Sequence, residues 1–496
     1  MERTTSRSTP ETCPQTPTRS AAAAEPRPHR GKALTDANMK EMVKAFRELP
    51  PAVRPVYRMS QANKAVRLYK GEIELTAPDG RQFAFYGDAH LQWLPSPAFQ
   101  VSCSSDNLEL YTLALTASEV SLCLAGIGMK GKAFCCKCTA QLGRAVHLLL
   151  SFRPEPLVIG GPCQDLVFHV ANLRDYLGKP VRYGNRRSAA GRLEFQFCGW
   201  QITLDKAWFG HRILEGLDCS GGYGLTHVGR LQRVDRTLFP ADEGFDVLEA
   251  LVRFLSFCHG RAAGIPLSVS KAPGGALNAA KWFIHNIAPW RTTASWSDDR
   301  TLTTIEPLFQ RFWSLWQDPF WHDMLQAVIF WYVNANQSPV AIEEAIVMSQ
   351  VALERLAWAS MVEKDNVLSP DGFKRLTFAD TLKLFLDRLG IPIAVPTHLS
   401  NLIAYGKANN LDGIPEIIVG VRNDIVHPTK RGLPGEVAWE VWLASLWCLE
   451  LAVLALLGYQ GQYCSRVAMP FRGPEPVPWQ SRQAPRPTKA PSAARK

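Results

Sequence analysis

The chain has 496 residues, of which 46% are hydrophobic and 20% are charged. These proportions exclude a fibrous or wholly disordered protein, and the length predicts two or three folded domains. The formal net charge is +10, but residues 1–32 contribute +3 of it and residues 470–496 contribute +5. The body of the chain is therefore close to neutral, which disfavours a broad surface for binding nucleic acid.

The twelve cysteines are scattered and mostly have apolar neighbours, which is typical of proteins in a reducing cytoplasm. One tight group, Cys135, Cys136 and Cys138, lacks a second pair of ligands at zinc spacing. We therefore expect no metal site and no cofactor. Because the N-terminal residues lack the apolar stretch of a signal peptide, we also expect a cytoplasmic protein.

The two ends of the chain, residues 1–35 and 466–496, are rich in Pro, Arg, Ser and Ala. This composition cannot bury much apolar surface, so both ends are predicted to be disordered. After the first end, the pattern from Met39 to Leu49 predicts a short helix, which Pro50 and Pro51 would end.

Residues 36–300 are predicted to form a β-rich N-terminal region. Between residues 66 and 240 the apolar residues alternate in short runs that are rich in β-branched and aromatic side chains and separated by turns. The runs begin at Ala65, Gly71, Gln82, Leu108, Ala145, Leu166 and Leu193. They favour an antiparallel sheet, folded as a sandwich or a distorted barrel. A helix is expected to follow from Gly244 to His259, with Gly260 ending it.

Residues 301–336 are predicted to be a helical connector rich in tryptophan. Tryptophans recur between residues 282 and 331, whereas Lys and Arg are sparse from 301 to 336. Stacking on nucleic-acid bases usually needs cationic neighbours. We therefore expect these rings to pack between the two halves of the protein.

Residues 337–465 are predicted to form an antiparallel bundle with four main helices, which makes the fold class α+β. The helices are expected at Val340–Glu363, Phe378–Leu389, Pro415–His427 and Gly435–Leu457, with a short one at Leu399–Asn409. The last main helix is strongly apolar, but Glu450 interrupts it and it is short for a membrane span. A buried bundle helix is therefore favoured, and association with a membrane is not expected.

The helix that ends at His427 carries the clearest chemical signal. Arg422 and His427 are five positions apart, and Asn423 lies between them on a helical projection, away from the apolar face. Arginine is a permanent cation that binds phosphate, and histidine can transfer a proton near neutral pH. A second pair at similar spacing, Arg253 and His259, lies on an apolar helix without the Asn, so we interpret it as a coincidence.

A structural role for the same residues is the alternative. His427 could simply cap the helix, and Arg422 could pair with an acid such as Asp424 or Glu354.

The bundle resembles the HEPN (higher eukaryotes and prokaryotes nucleotide-binding) domain. The resemblance is carried by Arg422-Asn423-Asp424-Ile425-Val426-His427, by Ala352-Leu-Glu-Arg-Leu356 on the first helix, and by the long apolar last helix. The upstream half looks like the β-rich region of ApeA-type bacterial defence proteins. The segments that resemble this region are Gly224-Leu-Thr-His-Val-Gly-Arg230 and Leu251-Val-Arg-Phe-Leu-Ser-Phe257, together with Gly260.

The resemblance implies a metal-independent RNA endonuclease that acts as a homodimer, with the motifs of both copies in one cleft. It implies that His427 transfers the proton, that Arg422 binds the scissile phosphate, and that Asn423 orients the site. Glu354 and Asp424 would support these residues. The partners implied are an RNA substrate, a second copy of the chain, and an unknown trigger ligand for the N-terminal region. Some HEPN domains are non-catalytic, so a dimerisation or ligand-binding module is the second hypothesis.

Overall fold

The computed structural model describes residues 36–140, 145–185, 187–297, 305–337, 342–427, 433–468 and 473–483. The chain divides into two units, residues 1–48 and residues 49–496. In the first unit the structure describes one helix, α1 (Asp36–Glu48), which confirms the predicted helix at this position. The end predicted to be disordered, residues 1–35, lies outside the described residues.

The second unit begins with a closed barrel of six antiparallel strands in the order β1-β2-β3-β6-β5-β4. Its strands are β1 (Val66–Thr76), β2 (Gln82–Gln92), β3 (Ala98–Ser105), β4 (Val120–Leu124), β5 (Met129–Ala140) and β6 (Val146–Phe152). In β2, buried and exposed side chains alternate along the strand, because one face of a closed sheet points into the barrel. The barrel that the sequence predicted as one of two possibilities is therefore confirmed.

One of the predicted strands is a helix. The run that begins at Leu108 forms α2 (Glu109–Thr116), so the strand predicted there was wrong. Its buried side chains, Leu110 and Leu113, are three positions apart, whereas Leu108 is exposed. The run was too short for its period to separate the two kinds of element. Asn107 favours the helix, because its Oδ1 accepts a hydrogen bond from the Glu109 N–H at 2.9 Å.

The strands that follow form an eight-stranded antiparallel sheet in the order β10-β11-β12-β13-β9-β15-β16-β7. They are β7 (Leu157–Ile159), β9 (Asp165–Ala171), β10 (Lys179–Tyr183), β11 (Arg187–Phe197), β12 (Trp200–Lys206), β13 (Leu225–Arg233), β15 (Gly264–Lys271) and β16 (Leu277–Trp282). Strands β8 (Pro162–Cys163) and β14 (Phe239–Pro240) form a separate pair.

Two helices interrupt the second half of this sheet. Helix α3 (Gly210–Ser220) was not predicted, whereas α4 (Ala241–His259) matches the helix expected from Gly244. Gly260 ends α4 in the left-handed conformation, with φ of 71°, as the sequence predicts.

The helical part of the chain follows the strands, which confirms the α+β class. Its helices are α5 (Glu306–Trp316), α6 (Pro319–Gln337), α7 (Ile342–Trp358), α8 (Pro370–Arg375), α9 (Phe378–Arg388), α10 (Ser400–Asn409), α11 (Gly413–Val426), α12 (Gly435–Leu456) and α13 (Pro478–Gln483). A π-helical turn, Ala359–Lys364, continues α7. The short strands β17 (Gln462–Tyr463) and β18 (Glu475–Pro476) pair with each other.

Sheet and helices share one apolar core. The Phe254 ring on α4 lies 6.3 Å from that of Phe195 on β11 and 5.2 Å from that of Phe309 on α5. Trp296 is fully buried in the core that the sheet and the helices share, as predicted, whereas Trp282 is buried among strands of the barrel and the sheet rather than between the two halves.

Part of the C-terminal end is folded, in contrast to the disorder predicted from residue 466 onward. Trp479 on α13 is buried, and its Nε1 donates a hydrogen bond to the Tyr459 carbonyl at 2.7 Å. The composition of this end did not predict that it folds, because an aromatic side chain, Trp479, holds the segment in place. Residues 484–496 lie outside the described part of the chain.

Two stretches, Ile342–Lys364 and Gly435–Leu456, are long and apolar enough to cross a membrane by length and composition. Both are largely covered by neighbouring protein, α12 most completely. Glu450, near the middle of α12, is fully buried beside Arg466 and Tyr332. Such burial is typical of core helices of a soluble protein.

Candidate functional site

The Arg–His motif lies on α11, which the bundle holds firmly. Ile414, Ile417, Ile418 and Val421 are buried, and together they make the apolar face that the sequence predicted. The side-chain amide of Gln350 on α7 donates a hydrogen bond to the Ile418 carbonyl at 2.5 Å. The backbone that carries the motif is therefore fixed by packing on one side and by a buried polar contact.

The motif side chains lie on the other side of α11. Arg422 is half-buried, and Asn423 and His427 are exposed. The Arg422 guanidinium donates a hydrogen bond to Oδ1 of Asn423 at 3.2 Å. The helix ends at Val426, and the His427 N–H donates to the Asn423 carbonyl at 2.8 Å. His427 therefore follows the last helical residue and presents its ring to solvent.

The two acids named beside the motif do not neutralise Arg422. Asp424 accepts a hydrogen bond from the Tyr405 hydroxyl at 2.6 Å. Burial and this neighbouring carboxylate raise the pKa of Tyr405, so its hydroxyl stays protonated. Glu354 is exposed on α7, and among the described residues no ion pair within 4 Å joins a carboxylate to Arg422. The supporting role of Glu354 stays a prediction.

The second Arg–His pair has a different environment. Arg253 makes an ion pair with Glu249 on its own helix at 3.2 Å. His259 is almost fully buried, and burial together with Arg261 and Arg174 holds its pKa well below the usual range. Because Arg253 is already paired with an acid and His259 is buried and neutral, α4 does not present an exposed Arg–His pair like that of α11.

A cavity of about 570 Å³ in the β-rich part of the chain was not predicted from the sequence. It lies between the extended segment 51–59 and the eight-stranded sheet, and its wall includes Tyr57, Trp208 and His227. The only signal in the sequence was a short run, Arg54-Pro55-Val56-Tyr57-Arg58, that combines cations with an aromatic residue. The other wall residues come from distant strands.

Comparison with known proteins finds similarity in two parts of the chain. Residues 160–293, which hold most of the eight-stranded sheet, match the model of the YopA central domain. Residues 318–474, which include α11, match the model of the YopA C-terminal domain. The chain is similar to YopA. It is 28% identical to the SPbeta prophage-derived uncharacterized protein YopA of Bacillus subtilis (strain 168), over 85% of this chain and 96% of that protein.

The YopA matches extend over both the sheet and the helices, and neither domain description names an activity. No solved structure matches the chain significantly.

Proposed function

We propose that the protein is a metal-independent RNA endonuclease of the HEPN type that acts in the cytoplasm as a homodimer. One observation supports this proposal above the others: Arg422 and His427 are close along one rigid helix, reach solvent, and have no carboxylate partner among the described residues. A cation that merely stabilised the fold would be expected to pair with an acid. An unpaired one can bind a phosphate.

The chemistry follows from the two side chains. His427 removes the proton of the ribose 2′-hydroxyl, and the 2′-oxygen then attacks the adjacent phosphorus while the bond to the 5′-oxygen breaks. A histidine returns the proton to the leaving 5′-oxygen. Arg422 binds the phosphate and stabilises the negative charge that grows on its oxygens. The products carry a 2′,3′-cyclic phosphate and a 5′-hydroxyl, and DNA is not cut because it lacks the 2′-hydroxyl.

In this proposal two copies of the chain bring their α11 helices together, so that one site contains both motifs. The β-rich N-terminal region acts as a regulator that responds to a trigger ligand. The relative from Bacillus subtilis is named as prophage-derived, which fits a role in conflict between phage and host, such as anti-phage or toxin-like defence.

The test is cleavage of labelled RNA in the presence of a chelator, with the end groups of the products mapped. We expect His427→Ala and Arg422→Ala to lower the rate by about 100-fold or more, since each removes a group that acts in the transition state. Matched controls are His147→Ala and Arg375→Ala, which change exposed residues elsewhere and should cleave like the wild type. Wild-type RNA cleavage that His427→Ala leaves unchanged would exclude the proposed chemistry.

A non-catalytic module for dimerisation or ligand binding is the second candidate function. The near-neutral body of the chain favours it, because a general ribonuclease usually has a basic surface. This function predicts that no RNA is cut by the wild type under any condition, and that His427→Ala changes dimerisation or stability alone.

A further inference from the structure

The cavity beside segment 51–59 has the composition of a site for an aromatic anion. Three arginines line it: Arg54 and Arg58 from the segment, and Arg182 from β10. None of the described residues that line it is acidic. The nearby carboxylate of Asp205 lies outside the lining and is bound by the Arg192 guanidinium, with Nε and Nη2 at 2.8 and 2.7 Å. The positive charge of the three arginines is therefore not cancelled inside the cavity.

Aromatic rings form another part of the same wall. Trp208, between β12 and α3, is 42% exposed. Its ring contacts that of Tyr183 edge to face, with centroids 5.6 Å apart. Tyr57 belongs to the segment itself; its side chain is only 8% exposed, and its backbone N–H donates to Nε2 of His169 at 3.0 Å. An exposed ring fixed by a neighbour is suited to stacking on a flat ligand.

A buried polar group also lines the cavity. His227 on β13 is 2% exposed, and its Nδ1 is within 3.0 Å of Oγ1 of Thr226. Burial, with a smaller effect of Lys206, lowers the pKa of His227 to about 3, so the ring is neutral and can donate or accept a single hydrogen bond.

The cavity is formed by tertiary contacts rather than by one loop. The N–H of Ala52 donates to the Arg182 carbonyl at 3.0 Å, and the Val53 N–H donates to Asp205 at 2.7 Å. These bonds fix the backbone of the segment over the sheet without a ligand. The cavity is formed before any ligand binds, and its volume is in the range of sites for small molecules.

We propose that this cavity binds a nucleoside phosphate, with the base against Trp208 and Tyr57 and the phosphate among Arg54, Arg58 and Arg182. The source of such a ligand is either a free mononucleotide or the end of an RNA strand. The cavity volume, about 570 Å³, is typical of small-molecule sites and favours the free mononucleotide. The site is separate from α11, so it is independent of the proposed cleavage chemistry.

The test is titration calorimetry on the full chain with AMP, GMP, CMP and UMP. Adenosine, inorganic phosphate and a ten-nucleotide RNA serve as comparison ligands. We expect at least one mononucleotide to bind, with adenosine and inorganic phosphate each binding at least tenfold more weakly. Trp208→Ala and Arg58→Ala should each weaken the mononucleotide by about tenfold or more. Both residues are exposed at the surface, so these variants are expected to fold.

Matched controls are Trp439→Ala, which removes an equally exposed tryptophan on α12, and Arg375→Ala on α8. Both should bind like the wild type, and so should His427→Ala. The proposal is overturned if no mononucleotide binds, if inorganic phosphate binds as tightly as a nucleotide, or if Trp208→Ala and Arg58→Ala bind unchanged. Tighter binding of the RNA than of any mononucleotide, lost in the same variants, would overturn the free-nucleotide assignment.

Discussion

Histidines in this protein occupy two different environments. His427 is exposed at the end of α11, whereas His169 in the sheet is buried. Burial lowers the pKa of His169 to about 4, and its Nε2 accepts the Tyr57 N–H, which requires a neutral ring. The exposed ring is available for proton transfer, while the buried one holds segment 51–59 in place.

The buried histidine predicts a loss of stability in mild acid. The pKa of a histidine in the unfolded chain is about 6.5. Below that pH the histidine binds a proton in the unfolded chain, whereas His169 in the folded protein stays neutral until about pH 4. The free energy of unfolding should therefore fall as the pH drops from about 6.5 to about 4. Between about pH 7 and pH 5 the loss from His169 should be about 2 kcal/mol.

Urea unfolding at the two pH values checks this, with His169→Gln as the variant, because a glutamine oxygen can still accept the Tyr57 N–H without titrating. We expect His169→Gln to lose less stability than the wild type between the two values, while the exposed control His147→Gln loses as much. Equal losses in wild type and His169→Gln would contradict the assignment.

At the scale of elements, one buried ion pair joins segment 51–59 to the sheet. Asp205 on β12 is fully buried, and it accepts hydrogen bonds from Arg192 on β11 and from the Val53 N–H. Neighbouring strands and the segment above them therefore share one carboxylate. Helix α12 has a comparable arrangement, in which Glu450 accepts from Tyr332 on α6 and from Arg466.

Removing Asp205 should be costly. Asp205→Ala leaves the Arg192 guanidinium buried without its partner, and we expect the free energy of unfolding to fall by about 3–5 kcal/mol. A suitable control is Glu194→Ala, which breaks the more exposed pair with Lys179 and should cost about 1 kcal/mol or less. Chemical denaturation measures both. A loss for Asp205→Ala no larger than that of the control would show that the pair does not hold the segment.

At the scale of the whole molecule, the proposed ribonuclease needs two chains, because each presents one exposed Arg–His pair in the part that the structure describes. Because the body of the chain is close to neutral, RNA would be attracted by a local site rather than by a broad basic surface. Function would then depend on which surfaces of two copies meet.

Mixing two inactive variants tests whether the site is shared. Arg422→Ala retains His427, and His427→Ala retains Arg422, so a mixed dimer holds one intact copy of each group. If both motifs work in one cleft, mixing should restore a measurable fraction of the RNA cleavage rate, and the wild-type rate per chain should fall on dilution below the dimer dissociation constant. Active wild type with no recovery on mixing and no effect of dilution would exclude a composite site.

The helices could be predicted from the sequence because their signals are local. The period of apolar residues predicts α4, α9, α11 and α12 to within a few residues, and places Arg422, Asn423 and His427 on the face away from the core. The strand predicted at Leu108 was wrong because the run is short, and a few residues do not define a period, whereas long runs do. Helix α3 was missed among the strand signals around it.

The sequence by itself determined the α+β class, the order of strands before helices, and the polar side of α11. Only the tertiary structure decided that the barrel closes, in which order the eight strands pair, and that Arg422 forms no ion pair with Asp424 or Glu354. It also brought Arg54, Arg182, Trp208 and His227 around one cavity. The physical reason is range: helix faces depend on residues three or four apart, whereas strand pairing, ion pairs and cavities depend on residues that meet only after the chain has folded.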